Sequence, residues 1–433
     1  MRLSKDWGLL DMSCSDWKEA ALGEVGTIIG GGTPSTKIKD YYGGGISWIT
    51  PKDLSTYSER YIYKGQKMIT EKGLAGSSAK MMPENTVLFS SRAPIGYIAL
   101  AGNELCTNQG FKNIIPKPDI VHFMFLYYLL KNKKIDIEAV ASGTTFLEVS
   151  GTNLKNFKVN LPSLPEQKAI ASTLSCLDDK IELNNRINKN LEEMAQAIFK
   201  SWFVDFEPFQ DGEFEDSELG RIPKGWRVKK LKDISEFQNG YAFYKIGYSE
   251  EGAMVIDLGN VDLLGSFKRT NADKFISIEL YEQGKMEKFR VLKNDLVMIM
   301  TDRKATMDLL GKTAKITEDN YYILNQRVGR IRANKDINVN FLHTYLNNNS
   351  FLNELKKKAL GSVQKYVNTN HIKDSLMLVP NDEVMLSFGQ KVDPIFDEIA
   401  NLNLQNVYFD KIRDTLLPKL MSGEIRVPIK EVQ

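Results

Sequence analysis

Apolar side chains recur in two separate stretches of this chain at alternating steps of four and three residues. In the first stretch the positions are Ile170, Leu174, Leu177, Ile181, Asn184, Asn188, Leu191, Ala195, Ile198 and Trp202. In the second they are Phe388, Val392, Ile395, Ile399, Leu402, Asn406, Phe409, Arg413, Leu416 and Leu420. This alternation keeps one stripe on one side of a helix and is the heptad pattern of a coiled coil. Ser163 and Glu166 are spaced as a capping box ahead of the first helix, and Pro208 lies beyond its end. Gly423 suits a C-cap for the second helix, and Pro394 and Pro418 predict kinks within it. Elsewhere the pattern is shorter. Runs such as Thr86–Phe89 and Leu296–Ile299 predict strands, and Gly30–Gly32 and Gly43–Gly45 predict turns. Helices are expected near residues 119–133 and 338–358, so each non-coiled region reads as an α+β globule with a curved sheet.

The two halves of the chain repeat one another. Trp17–Leu22 matches Trp226–Leu231, Thr107-Asn108-Gln109 matches Leu324-Asn325-Gln326, and Phe125-Leu126 matches Phe341-Leu342. Asn153-Leu154-Lys155, ending at Leu161-Pro162, matches His371-Ile372-Lys373, ending at Val379-Pro380. Each match is weak alone, but the common order marks an internal repeat. Each repeat consists of a globular part followed by one long helix. Neither helix has nearby sequence enough to bury it, so the expected partner of each helix is the other.

Composition narrows the class. The 433 residues exceed one ordinary core, and 42% hydrophobic with 26% charged residues is normal for a globular chain. Net charge is +2, so any nucleic-acid affinity must come from clustered basic residues or from a partner. Cys14, Cys106 and Cys176 fit neither a zinc site nor a disulfide framework, and His122, His343 and His371 lie far apart. Residues Met1–Leu10 lack the apolar core of a signal peptide, and the longest apolar run, Phe123–Leu130, is too short for a bilayer. A cytoplasmic protein is expected.

Motifs for chemistry on DNA are missing. The chain has no Pro-Pro pair for an amino-methyltransferase and no Gly-x-Gly-x-x-Gly fingerprint. Gly311-Lys312-Thr313 resembles a P-loop end, but Thr306 stands where its first glycine belongs. Pro118-Asp119 with Glu138 lacks the lysine of a nuclease motif. Catalytic, cofactor-binding and metal-binding residues are therefore expected to be absent.

Several motifs carry a family resemblance. Leu161-Pro162-Ser163-Leu164-Pro165-Glu166-Gln167, Leu177-Asp178-Asp179-Lys180-Ile181 and Ala197–Phe206 resemble the central region of type I restriction-modification specificity (S) subunits. Leu416–Ile425 resembles their second helical region. Gly30–Ser35, Ile49–Leu54, Ser90–Gly96 and Asn239–Phe243 look like pieces of target recognition domains. The resemblance implies two globular α/β target recognition domains joined by two long antiparallel coiled-coil helices in a pseudo-twofold repeat. The corresponding domains are residues 1–162 and 209–379, with conserved helical regions at 163–208 and 380–433. Such a subunit binds a bipartite double-stranded DNA site and is not itself an enzyme. It recruits two modification (methyltransferase) subunits and restriction subunits, which bring S-adenosylmethionine, ATP and Mg; this chain binds none of them. Two other readings stay open: a single-chain DNA enzyme with degenerate motifs, and a coiled-coil adaptor with no DNA role.

Phosphates call for Lys and Arg, and base edges for polar side chains. The DNA-binding candidates are Lys37, Lys39, Lys52, Ser91, Arg92, Asn108 and Gln109 in the first domain. In the second they are Tyr241, Lys245, Asn260, Arg303, Lys304, Asn325 and Gln326. Arg92 and Arg303 follow strand-like runs and suit bidentate guanine contacts. The second domain has Thr301-Asp302-Arg303-Lys304 where the first has Ser90-Ser91-Arg92-Ala93-Pro94, so different half-sites are expected. Some of Trp202, Phe203, Phe206 and Phe209, with Leu417, Leu420 and Met421, exceed what a two-helix seam can bury; they are candidate partner-binding residues, and packing onto the adjacent recognition domain is the other reading. An end-to-end alignment of the seams sets Ile170 against Leu420, Asn184 against Asn406, Asn188 against Leu402 and Arg413 against Leu177. The Asn184–Asn406 pair is then the expected lock on helix register and DNA spacer.

Overall fold

A computed structural model describes residues 17–428, except Thr56, 144–146, 244–246, Asn271, Ala305 and Val363. The chain divides into two compact units, Met1–Leu183 with Gln405–Gln433, and Asn184–Leu404. The two long helices, Leu164–Phe203 and Asp382–Ser422, each contribute one half to each unit. The second runs unbroken through Pro394 and Pro418, where kinks were expected, and stops at Gly423, whose φ of +74° is the left-handed C-cap geometry.

In the first unit five strands lie in the order Gly26–Gly30, Phe111–Pro116, Val87–Ser90, Ile98–Ala101, Tyr61–Ile62. A second sheet orders Lys67–Ile69, Tyr42–Ile49 and Cys106–Thr107. The helix Phe123–Asn132 is apolar nearly all round and buries every residue from Met124 to Leu130. Its core includes Val87 and Phe89 of the sheet, Ile170 and Leu174 of the first long helix, and Leu417, Leu420 and Met421 of the second.

The second unit repeats the plan. Its sheets order Ser235–Asn239, Val328–Ala333, Leu296–Ile299, Thr313–Lys315, and Lys274–Ile276, Ala253–Ile256, Tyr322–Leu324, Arg290–Val291. Helices Val339–Asn347 and Asn349–Lys357 pack beside them. Phe199 and Phe203 of the first long helix and Phe388, Val392 and Ile399 of the second enter the same core as Phe341 and Leu342.

The long helices therefore do more than cover one another. Within the second unit Asn188 donates to Asn403 Oδ1 at 2.8 Å and Phe199 packs on Phe388, so the helices run antiparallel there. Within the first, Arg413 donates to Asp178 at 2.7 Å and Arg426 to Glu166 at 2.5 Å, again antiparallel. The two polar pairings within the helices lie one residue from expectation: Asn188 meets Asn403 rather than Leu402, and Arg413 meets Asp178 rather than Leu177. The reason is polar satisfaction, since an amide and a guanidinium each gain a partner by the small rotation. Asn184 is buried in the second unit. The seam also turns near its end. Phe199 and Phe203 are buried while Ile198 and Trp202 are only half-buried, because the globular domain packs on that side as a second partner.

Each domain is clamped to the helices. In the first unit the Arg60 backbone N–H and Nε both donate to Glu182 Oε1, at 3.0 and 2.9 Å, and Nη2 also reaches Asp179. Burial opposes the Arg60 charge, but the two carboxylates outweigh it and raise its pKa. Tyr128 donates to Asp178 at 2.5 Å, so the same helix turn holds Arg60, Tyr128 and Arg413. In the second unit Asn338 and Asn340 donate to Asp393, and Gln196 to the Thr344 carbonyl. Glu192 accepts from Ser266 with one oxygen, while the other is buried without a partner among the described residues.

Burial pushes Glu192 up to about 7 and His343 down to about 4. Glu192, with a raised folded pKa, contributes stability below its unfolded value and loses it as pH rises through about 7. His343, with a depressed one, contributes above its unfolded value and loses it as pH falls toward about 4. Glu192→Gln should therefore stabilise the chain at pH 8 by on the order of 1–3 kcal/mol and have little effect at pH 4.5. Thermal unfolding at the two pH values checks this, and an equal shift at both would contradict the burial account.

Candidate nucleic-acid interface

In the first domain four sequence motifs converge because the backbone leaves no room for side chains between them. A β-carbon at Gly31 would stand 2.0 Å from the Asn108 carbonyl oxygen. Gly32 N–H donates to Thr107 O at 2.9 Å, and Asn108 N–H to Ile49 O at 2.9 Å. Ser91 N–H donates to Gly110 O at 2.8 Å, and Val149 N–H to Ser91 O at 3.0 Å. The segments at Gly30–Ser35, Ile49–Leu54, Ser90–Gly96 and Asn108–Gly110 are thus stitched into one edge. Lys52 and Gln109 are exposed on these segments, and Lys37 and Lys39 are exposed just after Ser35. Thr33 donates to Gln109, and a capping box between Thr50 and Asp53 shapes the turn that carries Lys52.

The second domain is stitched by the same bonds. A β-carbon at Gly240 would stand 1.9 Å from the Asn325 carbonyl oxygen. Tyr241 N–H donates to Leu324 O at 2.9 Å, and Asn325 N–H to Ile256 O at 3.0 Å. Met300 N–H donates to Arg327 O at 3.1 Å, and Val367 N–H to Met300 O at 3.1 Å. Gly240 therefore stands for Gly31, Asn325 for Asn108 and Met300 for Ser91. Arg303, Lys304 and Gln326 are exposed here. Asp302 shapes their turn by accepting from the N–H groups of Lys304 and Leu309, at 2.8 and 2.9 Å. Tyr241 is half-buried and packs on Phe243 and Phe289.

Several sequence assignments change. Ser91 is fully buried, and its hydroxyl donates to the Gly110 carbonyl at 3.2 Å. Asn260 is 2% exposed; its amide donates to Lys268 O and Asp273, and accepts from Asp257 N–H. Asn325 is buried and accepts from Gln326 N–H, while Asn108 accepts from Gly110 N–H. All four shape loops, and Ser91, Asn260 and Asn325 are buried away from any ligand, while Asn108 stays half-buried. Arg303 is not the counterpart of Arg92: Met300 matches Ser91, so Thr301 occupies the Arg92 place. Lys245 and Cys14 lie outside the described residues.

The proposed docking cluster is also corrected. Phe203, Leu417, Leu420 and Met421 are buried in the chain's own cores. Trp202 packs on Phe209 and Phe388, and Phe206 and Phe209 pack on Trp226. The surplus apolar area at the helix ends is absorbed by the adjoining domains. Sequence reading missed the apolar residues that are exposed on the long helices. These are Leu183, Ile187 and Met194 on the first, and Leu386, Leu404, Val407, Tyr408 and Ile412 on the second. They fall near the heptad spacing but off the seam, which is the signal that could have found them. Lys112 and Glu148, which meet beside Arg92, were also missed. Among the described residues no group of His, Cys, Asp or Glu is arranged to hold a metal, and no helix is long and apolar enough to cross a membrane.

Comparison with known proteins gives one consistent answer. The sequence model of the type I restriction modification DNA specificity domain matches residues 14–193 and again 223–401. The chain is 37% identical over 416 residues to the type I restriction enzyme MjaIX specificity subunit of Methanocaldococcus jannaschii, covering 95% of this chain and 94% of the relative. It is 25% identical over 477 residues to the HindI specificity subunit of Haemophilus influenzae, covering 95% and 100%. The crystal structure of a type I restriction-modification S subunit from M. genitalium shares the fold, with a TM-score of 0.52 at 18% identity over 93% of this chain and 96% of that one.

The division between buried loop-shaping and exposed side chains is testable by stability. Asn260→Ala should cost about 1–3 kcal/mol, because it removes the side-chain partner of Asp257 N–H and of Lys268 O. Lys39→Ala should stay within about 0.5 kcal/mol of the parent. Denaturant titration of both variants measures the difference.

Proposed function

Because the chain belongs to the family of type I restriction-modification specificity subunits, we propose that it selects the DNA sequence on which a larger complex acts, one half of a bipartite site per domain. The observation that carries this reading is the repeated stitching of the two domains. The same backbone bonds join Gly31 to Phe111 and Gly240 to Val328, with Asn108 and Asn325 pressed against the two glycines, yet the edges present different side chains. A constant frame with variable exposed residues suits two recognition modules of one design that read different sequences. Lys37, Lys39 and Lys52 in one domain and Arg303 and Lys304 in the other supply positive charge for phosphates. Gln109 and Gln326 are the exposed amides able to reach base edges.

In this reading the chain carries no catalysis. It binds neither S-adenosylmethionine nor ATP, and two modification subunits and the restriction subunits bring those groups and Mg to the DNA in the cytoplasm. The modification subunits dock on the exposed apolar residues of the long helices, where Met194 is 53% and Tyr408 56% accessible. Apolar area of this kind on a helix face suits a helical partner.

Three outcomes are expected. Replacing residues 17–160 by the equivalent of another specificity subunit should change one half of the methylated motif and leave the other half intact, as read by base-resolved methylation mapping. A change in both halves would overturn the modular reading. Met194→Asp with Tyr408→Asp should abolish co-purification with the modification subunit while leaving the thermal unfolding midpoint unchanged. Calorimetry of the chain alone should show no heat with either nucleotide cofactor at concentrations that detect about −8 kcal/mol binding.

A further inference from the structure

The recognition edge of the first domain carries a charged cluster that the second domain lacks at the same place. Arg92 Nη1 meets Glu148 Oε2 at 3.3 Å, and Lys112 Nζ meets Glu148 Oε1 at 3.0 Å. Ser91 Oγ lies 3.4 Å from the same oxygen. Burial alone would raise the Glu148 carboxyl, but the Lys112 ammonium and the Arg92 guanidinium hold it below the usual carboxylate range. It is therefore a fixed anion. Among the described residues the guanidinium is engaged through Nη1 only, and the side chain is 35% exposed. Its remaining donors are free to meet a ligand.

The backbone identifies the counterparts. Ser91 and Met300 occupy the same bonds, so Arg92 corresponds to Thr301. Phe89 pairs with Lys112 as Met298 pairs with Gly329, so Lys112 corresponds to Gly329. Glu148 bridges Ser142 as Tyr366 bridges Leu360, so Glu148 corresponds to Tyr366. An Arg-Lys-Glu set in one domain is thus a Thr-Gly-Tyr set in the other, on a backbone held alike. Stability does not explain the substitution: the Arg92–Glu148 pair is part-exposed, and pairs of that kind contribute little.

We propose that these three positions determine the difference between the two half-sites, and that in the first domain Arg92 reads the acceptor edge of a guanine while Glu148 and Lys112 position it. This rests on the DNA-selecting role argued above and names the base class that one domain takes. Guanine offers two acceptors in the major groove, N7 and O6, which a planar guanidinium meets with two N–H groups at once. A single carboxylate bond at Nη1 fixes the plane of the guanidinium and leaves such a pair available. Lys112 holds Glu148, so the carboxylate does not have to follow the arginine. Glu148 is a positioning residue. Thr301 in the second domain is shorter and has its hydroxyl buried, so it presents no paired donors, and guanine is not expected at the matching place of that half-site.

The test uses the full chain with its modification subunit in a host free of other methylation, with base-resolved mapping of methylated sites. The parent complex should yield a bipartite motif with a required G·C pair in the half read by residues 17–160. Arg92→Thr should relax that one position, lowering discrimination roughly five- to 150-fold, and leave the other half-site unchanged. Arg92→Lys should relax it as well, because an ammonium lacks the planar fork that Glu148 orients. Glu148→Gln should keep the same preferred base but weaken the preference at that position alone. An unchanged motif in Arg92→Thr, with binding uniformly weaker across sequences, would make Arg92 a phosphate contact and overturn the proposal. So would changes in both half-sites, which would make the cluster a purely structural one. A parent complex with no bipartite motif at all would instead overturn the DNA-selecting role on which the inference stands.

Discussion

A strand near the start of each domain pairs with its last strand, and the remaining architecture follows from that closure. Lys18–Ala21 runs antiparallel to Lys158–Leu161, and Arg227–Lys230 to Leu376–Val379, each over four residues. Just inside each pair the bond recurs, from Leu22 N–H to Phe157 O and from Leu231 N–H to Ser375 O. Antiparallel partners lie about 5 Å apart, so each domain returns the chain to where it began. The long helix starts within a few residues of that point, at Leu164 or Asp382. Everything between the paired strands can then change length without moving the helix.

Much of this was legible in the sequence because it depends on periodicity and order. The two helices announce themselves by long heptad runs, and the strands at Val87–Ser90 and Leu296–Ile299 by short β-branched and apolar runs. The repeat was legible because Trp17 and Trp226, or Asn108 and Asn325, keep their order. The Gly-Asn motif was harder to interpret. Both base reading and loop bonding were open for its asparagines, and Asn108 and Asn325 are seen to accept from the N–H groups of Gly110 and Gln326.

What escaped sequence reading depends on partners far apart along the chain. A heptad stripe says that a face is covered, not by what. Phe199 and Phe203 are covered by Phe341 as well as Phe388, which pulls the buried face away from Ile198 and Trp202. Likewise nothing local in Arg60 reveals that it will be buried against Glu182, or that Asn260 will be enclosed by three backbone and side-chain partners. Long-range polar satisfaction decides those positions, and composition alone carries no trace of it.

The Arg60 clamp separates two kinds of electrostatics in the first unit. Its guanidinium is 5% exposed and bonded to Glu182, out of reach of dissolved ions. The lysines at positions 37, 39 and 52 stand in solvent, where ions compete with any phosphate. Rising ionic strength therefore weakens the grip on a polyanion long before it loosens the domain from its helices. A chain built this way can be washed free of nucleic acid by salt and return, on dilution, with its reading edge still in place.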